Sequence, residues 1–164
     1  IKAQAYVAHA LGNMGGEKAE YYLKRWFGST TSGTRREVTR VLNSLSGMLS
    51  NVAYEKGPEC GPTTYAYVYP HGDWAKNEKG EFVFYLCSVY FKSKIGEKIE
   101  TLTHEGSHHA TAYTDDVCPD DKCKHAAYGR TTCLKVAKQY PDRALKNADN
   151  HCYFINDLNG HKSR

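Results

Sequence analysis

The chain has 164 residues, of which 40% are hydrophobic and 24% are charged, proportions typical of ordinary globular domains. No apolar run approaches the roughly 20 residues that a membrane span needs, and the net charge of +4 is too small and too scattered to indicate a nucleic-acid-binding protein. We therefore expect one domain over residues 1–164, with no membrane and no nucleic-acid partner.

The first third of the chain has the apolar spacing of helices. Apolar side chains recur at helical intervals over residues 1–28, and the Gly15-Gly16 pair bends or breaks that segment. After the polar turn at residues 29–33, a further helix is predicted with one apolar face running from Val38 to Leu49.

The middle of the chain changes to a strand pattern. Residues 63–69 and 82–91 are rich in β-branched and aromatic side chains, and turn residues stand between them. This pattern predicts two strands that pair as a hairpin.

Helical spacing returns in the last third. The predicted helices cover residues 98–109, 126–139 and 142–155, with Pro141 at the start of the last one, and residues 158–164 are predicted to form a polar tail. The order of elements gives an α+β fold that is predominantly helical and carries a small β-hairpin or sheet.

Six cysteines in an even, widely spaced set favour disulfides and therefore a secreted protein; six reduced thiols in a cytosolic protein are the alternative. Six cysteines permit 15 pairings, of which we expect Cys60–Cys87, Cys118–Cys123 and Cys133–Cys152, each closing a loop within one region. A chain that starts at Ile1 suits a mature form whose signal and pro-segment have been removed, although a cloned fragment would look the same.

The strongest chemical motif is His-Glu-x-x-His at residues 104–108. On a helix, His104 and His108 project from the same face and can share one Zn²⁺. Glu105 then lies beside the metal, where it can take a proton from water. Two histidines hold zinc poorly, so a third protein ligand should follow, unless the motif is only a solvated helix with two surface histidines.

The segment after this motif resembles the aspzincins, the deuterolysin and peptidyl-Lys metalloendopeptidase group. In that family, His-Glu-x-x-His precedes a Gly-Thr-x-Asp-x-x-Tyr-Gly element, and Tyr128 followed by Gly129 matches its end. Residues 65–70, 83–87 and 147–154 are similar to family segments as well. The resemblance implies a zincin-like metalloprotease domain with one zinc ion, an Asp as third ligand and a Tyr that stabilises the tetrahedral intermediate.

Two residues compete for the position of the third ligand. An alignment without gaps from the Tyr-Gly pair places His125 there, which would give a three-histidine site. If Thr114-Asp115-Asp116 is instead the Thr-x-Asp element, Asp116 is the ligand and residues 117–127 contain an inserted, disulfide-closed loop. We favour Asp116, because the family has a short spacing between the second His and the Asp. Tyr113 stands where the family has Gly.

The leading hypothesis is a secreted zinc endopeptidase that acts on proteins or peptides as a monomer. Its site residues are the ligands His104, His108 and Asp116, the general base Glu105 and the oxyanion donor Tyr128. In lysine-specific members of the family, acidic residues near residues 147–151 receive the substrate lysine. Asp149 matches one of them, which implies a substrate-binding role and a preference for Lys or Arg, whereas Cys152 replaces the next acidic residue.

Two other functions remain open at this point. A non-catalytic, secreted zinc-binding protein on the same scaffold would explain the altered third-ligand region and the eight histidines. The presence of Glu105 and Tyr128 argues against it, since metal capture needs neither residue. A disulfide-stabilised binding module without metal is the other alternative.

Overall fold

The computed structural model describes residues 2–109 and 112–160. The helices are α1 (Lys2–Gly12), α2 (Glu17–Phe27), α3 (Ser32–Leu49), α4 (Ser88–Lys92), α5 (Ile95–His108), α6 (Arg130–Gln139), α7 (Pro141–Lys146) and α8 (Ala148–Leu158). A three-stranded sheet consists of β1 (Val52–Lys56), β2 (Ala66–Tyr67) and β3 (Phe82–Leu86). The predicted α+β class with a helical majority is therefore confirmed.

The N-terminal helices follow the sequence prediction closely. The first helical segment breaks at its glycine pair, because α1 ends at Gly12 and α2 begins at Glu17. The side chain of Thr31 caps α3 by accepting a hydrogen bond from the backbone N–H of Thr34 at 3.3 Å. The apolar face of α3 from Val38 to Leu49 is buried, as predicted.

β3 is the central strand of the sheet. β1 lies parallel to it on one side, with Val52 opposite Phe82, and β2 lies antiparallel on the other, with Ala66 opposite Leu86. The predicted pairing of the two middle strands is thus correct, and the predicted disulfide Cys60–Cys87 is present.

The extent of the strands was predicted less well. The second predicted strand ends at Leu86, and the apolar run that follows it forms α4, because a short apolar run does not by itself distinguish strand from helix. The first predicted strand shrinks to the two residues of β2. β1 was not predicted, because it is a short edge strand whose last three residues are exposed and so carries little apolar pattern.

All three C-terminal predictions change at their ends. α5 covers Ile95–His108, where residues 98–109 were predicted. α6 begins at Arg130 rather than residue 126, because the residues before it pair with another segment: the N–H of Ala127 donates to the carbonyl of Val117. The last predicted helix divides at Asn147, whose backbone is extended, into α7 with Pro141 at its first turn and α8.

α8 lies at the centre of the molecule. All of its residues are buried, and it packs along α5 and against α2. Leu158 ends this helix and is fully buried, so it does not belong to the predicted polar tail, of which residues 161–164 lie outside the described residues. No helix within the two described ranges combines the length and apolar character that crossing a bilayer requires.

The predicted disulfide Cys133–Cys152 is wrong. The structure contains Cys60–Cys87 and Cys118–Cys123, and both remaining cysteines of the described chain are free and buried. Their sulfurs are directed to different polar groups: the Cys133 thiol donates to the carbonyl of Ala127 at 3.3 Å, and the Cys152 thiol to the carbonyl of Asp149 at 3.2 Å.

Thiol counting tests this assignment. Denatured but unreduced protein should react with about two equivalents of a thiol reagent, whereas the native protein should react slowly because both thiols are buried. A Cys133→Ser, Cys152→Ser double variant should give none. A count of zero in the wild type would restore the third disulfide, and a count of six would remove all of them.

His151 gives the fold a pH dependence. Burial lowers the pKa of this fully buried histidine to about 4, although its hydrogen bond to the Leu145 carbonyl and the charge of Glu37 act in the opposite direction. In the unfolded chain its pKa returns to about 6.5, so the unfolded state binds more protons between pH 6.5 and 4. The stability contributed by neutral His151 is therefore lost as the pH falls through this window.

We expect a loss on the order of 2–3 kcal/mol in the free energy of unfolding from this residue between pH 7 and 4. The variant His151→Gln, whose amide can still reach the Leu145 carbonyl, should show a smaller pH dependence in urea titrations. The exposed His9→Gln serves as the control and should follow the wild type. Equal pH dependence in all three proteins would contradict the assignment.

Candidate active site

The two histidines of the motif lie on α5 with their rings directed to the same point. The Nε2 atoms of His104 and His108 are 3.1 Å apart. Behind them, Gly106 lets α5 approach α3 closely, because a Cβ atom at this position would lie 2.5 Å from the Cε atom of Met48. The motif helix therefore packs its back against the core and presents both imidazoles on its other face.

Asp116 completes a triangle of donor atoms with these histidines. Its Oδ1 atom lies 3.3 Å from Nε2 of His104 and 3.4 Å from Nε2 of His108. This oxygen is buried and has no hydrogen-bond partner among the described residues. Ligands of a tetrahedral zinc, each at about 2.0–2.1 Å, stand roughly 3.3 Å from one another, so the three atoms fit that ion.

His125, the alternative third ligand, does not join this group. It is exposed, and the cluster of His, Cys, Asp and Glu ligand atoms found among the described residues at this point consists of His104, His108 and Asp116.

The other ring nitrogen of each histidine is fixed by a hydrogen bond. Nδ1 of His104 donates to Oδ1 of Asp149 at 2.6 Å, and Nδ1 of His108 donates to the carbonyl of Thr114 at 3.0 Å. These bonds place the proton on Nδ1 and leave the Nε2 lone pairs directed at the shared point, as metal-binding histidines require.

Both carboxylate oxygens of Asp149 make hydrogen bonds within the protein. Its second oxygen accepts hydrogen bonds from the N–H of Gly129 at 2.8 Å and from the hydroxyl of Tyr153 at 3.3 Å. Because α8 packs directly on α5, this carboxylate lies behind His104 with both oxygens engaged. These contacts orient His104, and the expectation that Asp149 receives a substrate lysine stays a prediction.

The segment that carries Asp116 is held by backbone hydrogen bonds. The N–H of Asp115 donates to the carbonyl of Lys146 at 2.8 Å, and its carbonyl accepts from Ala148 at 2.9 Å. Two residues earlier, Tyr113 adopts a left-handed conformation with φ of 54°. That conformation normally favours glycine, the residue that the aspzincin pattern has at this position.

A buried amide joins the Asp116 segment to the Tyr128 segment. The side chain of Asn147 accepts from the N–H of Val117 at 3.2 Å and donates to the carbonyl of Ala127 at 2.9 Å. The N–H of Ala127 in turn donates to the carbonyl of Val117 at 2.8 Å. These bonds bring Tyr128 to the site, where its hydroxyl donates to Oδ2 of Asp116 at 2.7 Å.

Glu105 lies beside the donor triangle. Its Oε1 atom is 3.9 Å from Nε2 of His104. Burial raises the pKa of this carboxyl above its ordinary value, although the neighbouring histidines lower it. Burial and the hydrogen bond to Asp116 also raise the pKa of Tyr128, so that this hydroxyl stays protonated and remains a donor.

A cavity of about 540 Å³ opens next to these residues. Its walls come from one face of α5, from α8, from the segment that leads into β2 and from Tyr128. The volume is sufficient for side chains of a peptide that crosses the site.

Two positioning groups were missed from the sequence. The carbonyl of Thr114 acts through the backbone, so its residue type carries no signal. Asn147 was noticed only as part of a segment similar to the family, and its role depends on contacts with residues 20 and 30 positions away.

Comparison with known proteins relates this chain to a family of metallopeptidases. Residues 13–156 match the family described as aspzincin, lysine-specific metallo-endopeptidase. A peptidyl-Lys metalloendopeptidase of Grifola frondosa is 33% identical over 159 residues, which cover 93% of this chain. An extracellular protease of Aeromonas hydrophila is 26% identical over 135 residues, or 80% of this chain. The chain spans only 40% and 34% of the lengths of these two relatives.

A solved structure is similar along nearly its whole length. The zinc peptidase from Grifola frondosa superposes with a TM-score of 0.74 at 30% sequence identity, covering 95% of this chain and 89% of that one.

The choice between Asp116 and His125 can be tested by zinc affinity. Asp116→Ala should weaken zinc binding by more than about 100-fold, because loss of an orienting partner alone costs 10- to 100-fold. His125→Ala should change it by less than about twofold, since the His125 side chain is exposed. Competition with a chromophoric chelator measures both affinities. The reverse order of effects would assign the metal to a three-histidine site.

Proposed function

The chain belongs to the aspzincin family of metallo-endopeptidases, and we propose that it is a secreted zinc-dependent endopeptidase with a preference for a basic residue at the cleavage site. The observation that carries this proposal is the meeting of three ligand atoms, from His104, His108 and Asp116, within 3.4 Å of one another beside the half-buried carboxylate of Glu105.

The three ligand residues would hold the zinc ion. Zinc bound there would polarise the peptide carbonyl and lower the pKa of a neighbouring water towards neutrality. Asp149 and the Thr114 carbonyl keep the two imidazoles in the tautomer that this binding requires.

Glu105 is the proposed general base. Its carboxylate would take the proton from the attacking water and pass it to the leaving amine as the peptide bond breaks. Burial supports this double role, because a raised pKa brings the carboxyl closer to the pH at which it can both accept and release a proton.

Tyr128 is the proposed donor to the oxyanion. This residue is 54% exposed, so it lies on the open side of the site, while its hydroxyl is held next to Asp116. A protonated hydroxyl at this position can turn to the developing negative charge of the substrate oxygen.

Substrate class and location are supported by separate observations. The cavity beside the ligands is lined by several carboxylates, which suits a cationic side chain, and relatives are named for action at lysine. Two disulfides, together with an extracellular relative, support secretion. Proteins or peptides are the expected substrates.

Replacement of Glu105 tests the mechanism. Glu105→Gln should keep its zinc but lose about 100- to 10,000-fold in kcat/KM on casein or a quenched peptide, because the base is removed while the three ligands remain. Metal analysis and a chelator-sensitive proteolysis assay measure the two properties separately. The exposed Glu78→Gln removes the same charge elsewhere and should cleave like the wild type.

Undiminished cleavage by Glu105→Gln would contradict the assignment of the base. Zinc binding by a wild-type protein that shows no chelator-sensitive cleavage would instead identify a zinc-binding protein without this activity.

A further inference from the structure

The cavity beside the candidate zinc ligands has a strongly acidic lining. Four of its lining residues carry carboxylates, and among the described residues that line it there is no Lys or Arg. The acidic residues are Glu97, Glu100, Glu105 and Asp149. A cationic group of a bound peptide would be attracted to such a cavity, but the four carboxylates are not equivalent.

Three of the four make contacts at the candidate metal site or at the start of α5. Both oxygens of Asp149 are engaged with His104 and with the N–H of Gly129. Glu105 lies against the donor triangle. Glu97 caps the start of α5, where its Oε2 atom accepts from the N–H of Lys94 at 2.9 Å.

Glu100 lies on the same face of α5 as His104, one helical turn before it. Its Oε1 atom accepts a hydrogen bond from the side-chain amide of Asn156 at 3.0 Å. Asn156 is fully buried on α8 and also donates to the carbonyl of Gly96 at 3.3 Å, so its position is fixed. The hydrogen bond from this fixed amide therefore orients the Glu100 carboxylate.

Cys152 occupies a position on α8 where a carboxylate would otherwise add negative charge to the cavity. It lines the same cavity, but its thiol is neutral and donates to the carbonyl of Asp149. The wall that α8 contributes at this point therefore supplies no charge of its own beyond Asp149, which is turned to His104.

We propose that Glu100 is the specificity-determining residue of this site, and that its carboxylate receives the ammonium or guanidinium group of the substrate residue in the cavity. This inference rests on the proposed function and assigns its preference for basic residues to a position on the motif helix. A charge-assisted hydrogen bond in a partly enclosed cavity accounts for the selectivity.

The test uses three quenched peptides that differ at one position, which is Lys, Arg or norleucine. Norleucine keeps the aliphatic stem of lysine and lacks the charge. We expect the zinc-loaded wild type to cleave the Lys or Arg peptide with a higher kcat/KM than the norleucine peptide. In Glu100→Gln, the ratio of kcat/KM for the Lys peptide to kcat/KM for the norleucine peptide should fall by on the order of 10- to 100-fold. If Glu100→Gln lowers kcat/KM more for the Lys peptide than for the Arg peptide, the carboxylate receives ammonium; the opposite result assigns it to guanidinium.

Glu97→Gln is the matched control, because it removes the same charge from the same cavity wall one turn away. It should keep the ratio within about threefold, as its carboxylate serves the helix start. An equal loss in Glu97→Gln would show a diffuse charge effect and overturn the assignment to Glu100. An unchanged ratio in Glu100→Gln would overturn it directly.

Binding separates this inference from the proposed activity. Calorimetric titration with a Lys-containing peptide should show about 10- to 100-fold weaker binding to Glu100→Gln than to the wild type, whether or not the peptide is cleaved. Equal affinities contradict the role of Glu100 even if the wild type is an active peptidase. A reversed variant, Glu100→Lys, should favour a peptide with Glu at the variable position, and failure to do so counts against a direct contact.

Discussion

The site depends on a 2.6 Å hydrogen bond between the carboxylate of Asp149 on α8 and Nδ1 of His104 on α5. The same carboxylate accepts from the N–H of Gly129, at the start of α6, and from the hydroxyl of Tyr153. One buried anion thus joins the motif helix, the central helix and the segment that carries Tyr128. A buried carboxylate is stable only when it is well hydrogen-bonded. The contacts that stabilise Asp149 within the fold are therefore the same contacts that orient His104.

The concentration of negative charge around α5 has an energetic cost that a bound cation would offset. Asp116, Asp149, Glu105 and Glu100 all lie near the two imidazoles, and like charges at such distances repel each other in a medium of low polarity. The hydrogen bond that His104 donates to Asp149 stabilises one of these carboxylates, and a bound zinc ion would reduce the repulsion further. The cationic substrate group that we propose would reduce it as well, so metal binding and substrate binding would both be favoured by the same excess of negative charge.

Much of the fold could be predicted because local patterns were strong. The apolar face of α3 and the His-Glu-x-x-His helix are periodic, and β3 is a dense run of apolar residues. What sequence could not decide depended on distant contacts. Asp116 and His125 are equally good ligands by chemistry, and only the pairing of Val117 with Ala127 shows which one reaches the histidines. The free cysteines and the orientation of Asp149 follow from the packing of α8, which no local pattern reveals.

The pairing of Val117 with Ala127, supported by Asn147, also makes the geometry of the site independent of the length of the loop between these two residues. The residues between them form a loop whose two ends are held together by this pairing, and the Cys118–Cys123 disulfide closes a smaller ring within the loop. The entropy of closing a loop grows only slowly with its length. Residues can therefore be added to or removed from this loop at little energetic cost. An insertion here could present a new recognition surface beside the entrance to the cavity.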